Sequence, residues 1–364
     1  MSKIRVLCVD DSALVRSILQ SKLNEFPDIE VVGTAPDPYA ARDKLVELRP
    51  DVMTLDIEMP KMDGVAFLQK LMPQFPIPTI ILSSLTPNGG DITMHALEAG
   101  AVDFLTKPGS DISRGLPQIM AELAAKIRIA KTVNLSSITA RIQKRIAENH
   151  IHPTHTTHPI TPMGKVLVGS TDKVIAVGAS TGGTEALKDF ILGLPVDIPG
   201  MVVTQHMPAG FTKLFAERLS GISHFDVKEA EHGDRIFPGR ILIAPGERQM
   251  QVVRSGGIYQ VFISPGQKVN GHAPSVEVLF DSVAEYVGSN AIGIMLTGMG
   301  RDGADAMKRM RDAGSYNLVQ DEASSVVWGM PGEAWKAGAG HKLVPIKDMA
   351  QNLMNVLRMT RPHS

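Results

Sequence analysis

Five side chains in the first third of the sequence have the types needed to bind a divalent cation and a phosphoryl group. Asp10 and Asp11 follow the apolar run IRVLCV, while Asp56, Ser83 and Lys107 lie at the ends of three later apolar runs. Carboxylates that lie close together repel one another unless their pKa values rise or a hard cation such as Mg²⁺ neutralises them. Beside such an ion and an ammonium group, an aspartate carboxylate is able to act as a nucleophile on phosphorus. The pattern therefore predicts a phosphoryl-accepting site.

The later sequence contains a serine, a histidine and an aspartate of the kind that form a hydrolytic triad. Ser180 stands in GASTGG, which satisfies the G-x-S-x-G pattern of a nucleophile elbow. His206 follows the apolar run MVVTQ, and Asp302 lies in the glycine-rich stretch LTGMGRDGA. A serine hydroxyl needs a base to remove its proton, and the base needs an acid to fix its tautomer. The three residues together predict an acyl-transfer site.

Each of these residues also has a simpler interpretation. Asp10 and Asp11 could cap the following helix, and Asp302 could cap a helix formed by ADAMKRM. A glycine-rich turn after a strand could bind a dinucleotide, but that fingerprint requires glycine where Ser180 stands. The α/β-hydrolase order of serine, acid and histidine would require a late histidine such as His341. The combined pattern, more than any single residue, favours the two chemical sites.

The elements that must position these residues alternate between strand and helix. Short apolar runs alternate with helix-like stretches through residues 1–125, and the alternation resumes at residue 173. Such repetition predicts α/β domains with parallel sheets, whose sites form in the loops after the carboxyl ends of the strands. Residues 126–172 contain few large apolar side chains and three prolines in their second half. They are predicted to form a linker between domains 1–125 and 173–364.

Composition limits the class of protein. The chain has 364 residues, 43% of them hydrophobic, and a net charge of −1, which divides into −6, +5 and 0 over the three segments. This distribution disfavours a general nucleic-acid binder. A single cysteine, Cys8, and the absence of a long apolar span predict a cytoplasmic protein. A flexible linker holds no fixed coordination geometry, so no metal site is expected at its four histidines, His150, His152, His155 and His158.

Residues 1–125 resemble the response-regulator receiver family, because acids, a hydroxyl and a Lys-Pro pair follow the first, third, fourth and fifth apolar runs. The resemblance implies that Asp56 accepts the phosphoryl group. It implies a Mg²⁺ site formed by Asp10, Asp11, Asp56 and the Glu58 carbonyl, and a switch formed by Ser83, Phe104 and Lys107. Many receivers have threonine and tyrosine at two of these switch positions. Ser83 keeps the hydroxyl, whereas Phe104 has no phenolic oxygen.

The motifs GASTGGTEAL, TQHMPAGFT, HAPSVEVLF and LTGMGRDGA resemble the catalytic domain of the chemotaxis protein-glutamate methylesterases, the CheB family. The resemblance covers nearly the whole chain. It implies two doubly wound α/β domains, a flavodoxin-like receiver and a Rossmann-like hydrolase, joined by a linker. In the hydrolase Ser180 would be the nucleophile, His206 the base and Asp302 the orienting acid. The backbone N–H groups of Thr181 and Met299 are candidates for the oxyanion hole.

The resemblance also implies a substrate and partners. The substrates would be glutamate methyl esters and certain glutamines on methyl-accepting chemoreceptors, and a chemotaxis histidine kinase would be the phosphodonor. Hydrolysis would need no cofactor, and neither nucleic-acid binding nor membrane insertion is expected. A receiver joined to a hydrolase suggests that modification of Asp56 controls access to the hydrolase crevice. Two alternatives remain: a receiver-controlled esterase or amidase with another acyl substrate, and a DNA-binding response regulator.

Overall fold

A computed structural model describes residues 2–60, 62–83, 87–108, 115–117, 119–150 and 172–359. The chain divides into two compact units, Met1–Pro153 and Thr154–Ser364. Among the helices that the structure describes, none combines the length and the apolar character needed to cross a membrane.

The first unit is built on a parallel five-stranded sheet with the strand order β2-β1-β3-β4-β5. Its strands are β1 Ile4–Val9, β2 Ile29–Ala35, β3 Val52–Asp56, β4 Thr79–Ser83 and β5 Asp103–Thr106. Its helices are α1 Ala13–Leu23, α2 Pro38–Leu48, α3 Gly64–Leu71, α4 Pro87–Glu98, α5 Met120–Lys131 and α6 Leu135–His150. The direction in which strands are added reverses between β1 and β3. In sheets of this order, ligands bind beyond the carboxyl ends of the strands at that reversal.

The start of helix α1 rules out capping as the role of the two early acids. Ser12 is the N-cap, and its side chain accepts a hydrogen bond from the Val15 N–H. Val15, Leu19 and Leu23 recur at helical spacing and are buried against the sheet. Asp10 and Asp11 therefore precede the cap and are left at the end of β1.

The first part of the predicted linker is helical, which corrects the interpretation of residues 135–150. Ile138 of helix α6 is buried, and the side chain of Arg145 donates a 2.6 Å hydrogen bond to the carbonyl of Glu98 at the end of α4. The low apolar content of the segment argued against a packed helix. Ile138 and Ile142 are nevertheless four residues apart, which places them on one face of a helix. His150 ends this helix, while residues 151–171, with the other three histidines, lie outside the described residues. The exact domain boundaries stay a prediction.

The second unit contains a parallel seven-stranded sheet with the order β14-β13-β12-β6-β7-β9-β8, and a separate antiparallel hairpin, β10-β11. The sheet strands are β6 Val174–Ala179, β7 Gly200–Gln205, β8 Asp226–Glu229, β9 Arg240–Ile243, β12 Ala291–Met295, β13 Tyr316–Gln320 and β14 Lys342–Val344. The hairpin strands are β10 Arg248–Ser255 and β11 Ile258–Pro265. The helices are α7 Gly183–Leu192, α8 Phe211–Ile222, α9 Val276–Tyr286, α10 Ala304–Asp312, α11 Met330–Lys336 and α12 Ile346–Met359.

The topology of this sheet determines where its site lies. Strands are added in one direction from β6 to β7 and in the other from β12 to β13, so the order reverses between β6 and β12. Every residue of β6, β7 and β12 is buried, as expected for a parallel sheet covered on both faces. The loops that follow these three strands carry the predicted serine, histidine and aspartate. This architecture also differs from the compact helical reader expected of a DNA-binding response regulator.

Candidate active site and receiver site

The acidic cluster of the first unit forms where the topology predicts it. One oxygen from each of Asp10, Asp11 and Asp56 lies within 4.8 Å of the others. The Lys107 ammonium lies 2.8 Å from Asp10 Oδ2 and 2.8 Å from Asp56 Oδ2. Three hard carboxylate oxygens this close together suit Mg²⁺, which prefers oxygen ligands. The donor set therefore fits the predicted ion.

Burial and charge act against each other in this cluster. Burial raises the pKa of Asp56 to about 6, although the neighbouring Lys107 ammonium opposes that rise. Burial alone would lower the pKa of Lys107, but the charges of Asp56 and Asp10 outweigh it and raise that pKa. A further cation would favour the ionised form of Asp56. The backbone N–H of Glu58 contacts Asp56 Oδ1 at 3.3 Å, and the ligand role of the Glu58 carbonyl stays a prediction.

The predicted switch residues lie on or just after strands β4 and β5, which follow the phosphoacceptor strand β3 in the sheet order. Ser83 ends β4 and is buried, Phe104 is buried on β5, and the Lys107 N–H donates a 2.7 Å hydrogen bond to the Ser83 carbonyl. Sequence reasoning missed Thr93 of helix α4, whose hydroxyl lies 2.6 Å from Ser83 Oγ. The hydroxyl at the switch position is therefore already engaged within its own unit.

The three predicted residues of the second unit form a continuous hydrogen-bonded chain. His206 Nδ1 lies 3.1 Å from Ser180 Oγ, and His206 Nε2 lies 2.8 Å from Asp302 Oδ2. The side chains of His206 and Asp302 are 8% and 1% exposed, so little water competes for these contacts. A neutral imidazole with its proton on Nε2 donates to the carboxylate and presents a basic Nδ1 to the serine hydroxyl.

The environment of Asp302 holds it as an anion. Its carboxylate accepts hydrogen bonds from Asn270 Nδ2 at 2.9 Å, from Ser275 Oγ at 2.7 Å and from the Val276 N–H at 2.7 Å. Burial alone would raise the pKa of Asp302, but the hydrogen bond and charge of His206, together with the hydrogen bonds from Asn270 and Ser275, outweigh burial and lower the pKa to about 2. Val276 begins helix α9, so the carboxylate lies at a positive helix terminus.

The helix-cap alternative for Asp302 is wrong in its detail. The residue before helix α10 is Gly303, with φ +82°, and it makes no side-chain cap. Asp302 instead occupies the N-terminus of a different helix, α9. His341 is also excluded as the base, because its Nδ1 accepts a 3.0 Å hydrogen bond from the Asn317 N–H and its ring stacks on Tyr316. Its strand β14 starts at Lys342, so His341 lies at the amino end of the sheet.

The glycines after Ser180 are explained by close packing. Gly182 has φ +78°, and an added Cβ there would lie 2.6 Å from Val326 Cβ. A Cβ on Gly183 would lie 2.1 Å from Gln205 Oε1. Gln205, which sequence reasoning missed, donates through Nε2 to the carbonyls of Ser180 at 3.0 Å and His206 at 3.2 Å. Gln205 thus links the loops that carry the serine and the histidine. Close packing accounts for both glycines, so a bound nucleotide is not required to explain them.

Comparison with known proteins agrees with this geometry. Residues 175–353 match the CheB methylesterase family model, and residues 6–114 match the response regulator receiver domain model. A protein-glutamate methylesterase/protein-glutamine glutaminase of Syntrophotalea carbinolica is 56% identical, over 99% of each chain. A second such protein, from Cupriavidus pinatubonensis, is 52% identical over 97% of this chain and 96% of its own.

The chain belongs to the CheB methylesterase family. The crystal structure of the Thermotoga maritima CheB methylesterase catalytic domain is 35% identical, with a TM-score of 0.50, and covers 50% of this chain and 98% of that one. The predicted fold class is confirmed: both domains of this CheB family member are α/β with parallel sheets. Its first domain is a receiver, a domain type that generally binds Mg²⁺ for phosphorylation.

The oxyanion candidates of this family member lie beside the serine. A Cβ on Gly298 would lie 2.8 Å from Ser180 Cβ, so the adjoining Met299 borders the nucleophile. The Ser180 N–H donates to the Thr297 carbonyl at 3.0 Å and is not available to an oxyanion. Within the described residues, the Met299 N–H makes no hydrogen bond. At Thr181, the backbone carbonyl accepts a 3.0 Å hydrogen bond from Thr297 Oγ1, which fixes the orientation of that loop. The roles of Thr181 and Met299 stay predictions.

Proposed function

We propose that this chain hydrolyses glutamate methyl esters and deamidates glutamines on chemoreceptors, under the control of phosphorylation at Asp56. The observation that carries the proposal is the hydrogen-bonded chain of Ser180, His206 and Asp302 at the reversal point of the sheet. Relatives that match nearly the full length are named protein-glutamate methylesterase/protein-glutamine glutaminase. The presence of the receiver domain supports phosphorylation control.

Acylation begins at the serine hydroxyl. Ser180 Oγ attacks the γ-carbonyl carbon of the methyl ester, and His206 Nδ1 takes the hydroxyl proton. The ionised Asp302 stabilises the resulting imidazolium through its hydrogen bond from Nε2–H. The tetrahedral intermediate collapses, and the leaving methoxide receives the proton from Nδ1. Methanol departs, and the glutamyl group remains bound to Ser180 as an ester.

Deacylation reverses these roles with water as the nucleophile. His206 Nδ1 takes a proton from water, the hydroxide attacks the glutamyl ester, and the proton returns to Ser180 Oγ. The product is the free glutamate side chain. A glutamine follows the same course, except that the first leaving group is ammonia. The N–H groups of Thr181 and Met299 would stabilise the oxyanion in both halves, each by roughly 3 kcal/mol.

The receiver site supplies the regulatory chemistry. Asp56 would accept a phosphoryl group from a chemotaxis histidine kinase, and the Lys107 ammonium beside it would offset part of the phosphoryl charge. Asp10, Asp11, Asp56 and the Glu58 carbonyl would hold Mg²⁺. When bound, Mg²⁺ supplies further charge compensation for the phosphoryl oxygens. Ser83 would donate its hydroxyl proton to a phosphoryl oxygen, in place of its 3.2 Å hydrogen bond to the Gly89 carbonyl.

Phosphorylation is expected to raise the hydrolase activity. With a small acyl phosphate as phosphodonor, wild-type methanol release should increase about 5- to 150-fold, the range of a coupling of roughly 1–3 kcal/mol. Asp56→Asn should not respond to the donor, because a neutral amide replaces the carboxylate that attacks the phosphoryl group. Asp43→Asn changes an exposed aspartate of the same domain and should respond like wild type. Equal wild-type rates with and without the donor would exclude this form of control.

The substrate assignment is tested with wild-type protein and receptor-bearing membranes whose glutamates carry radiolabelled methyl esters. The expected result is volatile labelled methanol, together with free glutamate at the former ester sites. A small soluble ester serves as the comparison. Hydrolysis of the small ester without any methanol from the receptor would retain the serine mechanism and refute the receptor as substrate.

A further inference from the structure

A two-residue turn lies against the base and the acid of the candidate triad. Val269 and His272 exchange two backbone hydrogen bonds of 2.9 Å, with Asn270 and Gly271 between them. The φ angles of Asn270 and Gly271 are +53° and +84°. Asparagine followed by glycine is the sequence that best tolerates two left-handed residues in such a turn. The local sequence therefore specifies this turn.

The turn directs one side chain at each member of the acid–base pair. Asn270 Nδ2 donates a 2.9 Å hydrogen bond to Asp302 Oδ1, the oxygen that His206 does not use. The His272 ring stacks on the His206 ring, with centroids 3.7 Å apart and planes inclined by 10°. Neither side chain belongs to the hydrogen-bonded chain that leads to Ser180.

A buried glutamine fixes the position of the turn. Gln249, on strand β10 and 5% exposed, donates through Nε2 to the carbonyls of Gln267 at 2.9 Å and His272 at 3.1 Å. Its Oε1 accepts a 2.8 Å hydrogen bond from the Ser275 N–H. Both ends of the segment between the hairpin and helix α9 are thus held by a single side chain. The turn is anchored to the same helix terminus that binds Asp302.

We propose that Asn270 and His272 are positioning residues for the hydrolytic reaction, an inference that rests on the proposed function. The two hydrogen bonds of His206 constrain its ring nitrogens but leave the ring able to rock about the line that joins them. A parallel ring at 3.7 Å blocks that motion on one face. Asn270 keeps Asp302 from rotating away from Nε2. Together they keep Nδ1 aimed at Ser180 Oγ.

The His272 ring is tested by a pair of substitutions in the full-length protein. His272→Ala removes the stacked face and should lower kcat for methanol release about 10- to 100-fold with little change in KM. His272→Phe keeps a flat ring and should restore most of kcat. The control is His341→Ala, which removes an imidazole stacked on Tyr316 at the opposite end of the sheet and should leave kcat unchanged. A wild-type kcat in His272→Ala would overturn the proposal for His272.

Asn270 is tested by glycine rather than alanine, because its φ of +53° would strain an alanine backbone. Asn270→Gly should lower kcat about 10-fold, a smaller loss because Ser275 and Val276 still hold Asp302. KM should stay near the wild-type value, because a positioning residue affects the chemical step and not the binding of substrate. An unchanged kcat would overturn the role of Asn270.

A measurement without substrate separates this inference from the proposed function. Nitrogen-15 relaxation of the His206 side chain should show a rigid ring in wild type and in His272→Phe. In His272→Ala it should show ring motion of larger amplitude, because the stacked face is gone. If wild type releases no methanol, the proposed function fails and the NMR result alone decides the inference. Unchanged ring motion in His272→Ala would then contradict the inference.

Discussion

Replacing His206 with glutamine is expected to reduce kcat for methanol release from methylated chemoreceptor by about 10⁴- to 10⁶-fold. Glutamine has no group that accepts a proton from Ser180 near neutral pH, so the nucleophile would stay a neutral hydroxyl. The buried chain from Ser180 through His206 to Asp302 offers no second base at hydrogen-bond distance among the described contacts. Loss of the imidazole therefore stops both the acylation and the deacylation half-reactions.

The control for this experiment is His232→Gln, which changes an exposed histidine of the same domain whose ring contacts Phe262 and whose Nδ1 lies 3.4 Å from the Ile263 carbonyl. It should retain wild-type kcat and the same thermal unfolding midpoint. If His206→Gln kept more than about a tenth of the wild-type rate, general-base catalysis by His206 would be excluded.

Replacing Asp302 with asparagine is expected to lower kcat by about 10⁴-fold. Every described partner of the Asp302 carboxylate is a donor, from the His206 ring to the helix α9 backbone. In asparagine, an NH₂ group replaces one carboxylate oxygen and would face donors with which it cannot form hydrogen bonds. The remaining amide oxygen is a weaker acceptor than a carboxylate oxygen. The favoured His206 tautomer would then carry its proton on Nδ1, where no lone pair remains for Ser180. Asp305→Asn, an exposed neighbour paired with Arg301, should leave kcat unchanged.

The same substitution should change how stability depends on pH. The pKa of Asp302 is about 2 in the folded chain against 3.8 for a free aspartate. Because the folded value is depressed, the carboxylate contributes about 2 kcal/mol to the free energy of unfolding above pH 4, and this is lost as the pH falls towards 2. The free energy of unfolding of Asp302→Asn should therefore lack this decrease between pH 4 and pH 2. Both tryptophans, Trp328 and Trp335, lie in the second domain, so urea unfolding followed by their fluorescence reports it directly.

Much of the site was predictable because parallel sheets bring the carboxyl ends of their strands to one edge. Ser180 and Asp302 follow the two strands at the reversal point and His206 follows the strand beside them, and the same reasoning located Asp10 and Asp56 in the receiver. Burial of the strands on both faces gives long apolar runs, which mark strand ends clearly in the sequence. Residues at those ends can be assigned to a shared crevice without knowledge of the loops.

The residues that support the triad could not be placed in this way. Asn270, His272 and Ser275 come from the connection between a separate hairpin and helix α9, and their approach to Asp302 depends on how the hairpin packs. The Asn-Gly pair indicates a tight turn, and HAPSVEVLF is one of the motifs shared with the family, but neither shows which residue the turn contacts. The choice of Nδ1 over Nε2 as the atom facing Ser180 depends on ring orientation, which sequence does not encode locally.

Helix α6 was missed for a different reason. Its segment is polar and basic, so composition favoured a linker, while the buried Ile138 and the bond from Arg145 to the end of helix α4 depend on tertiary packing. Thr93 was likewise missed, because its contact with Ser83 joins helix α4 to the neighbouring strand β4. In each case the informative contact joins separate elements and leaves little trace in local sequence.

The central claim is that Ser180 is the nucleophile that removes methyl groups from receptor glutamates. Its most direct test compares labelled methanol released from methylated receptor by wild type, by Ser180→Ala and by Ser289→Ala, which changes an exposed serine in the turn before β12. We predict release by wild type and by Ser289→Ala, and a rate in Ser180→Ala equal to that of the receptor alone. Methanol release by Ser180→Ala at the wild-type rate would contradict the account.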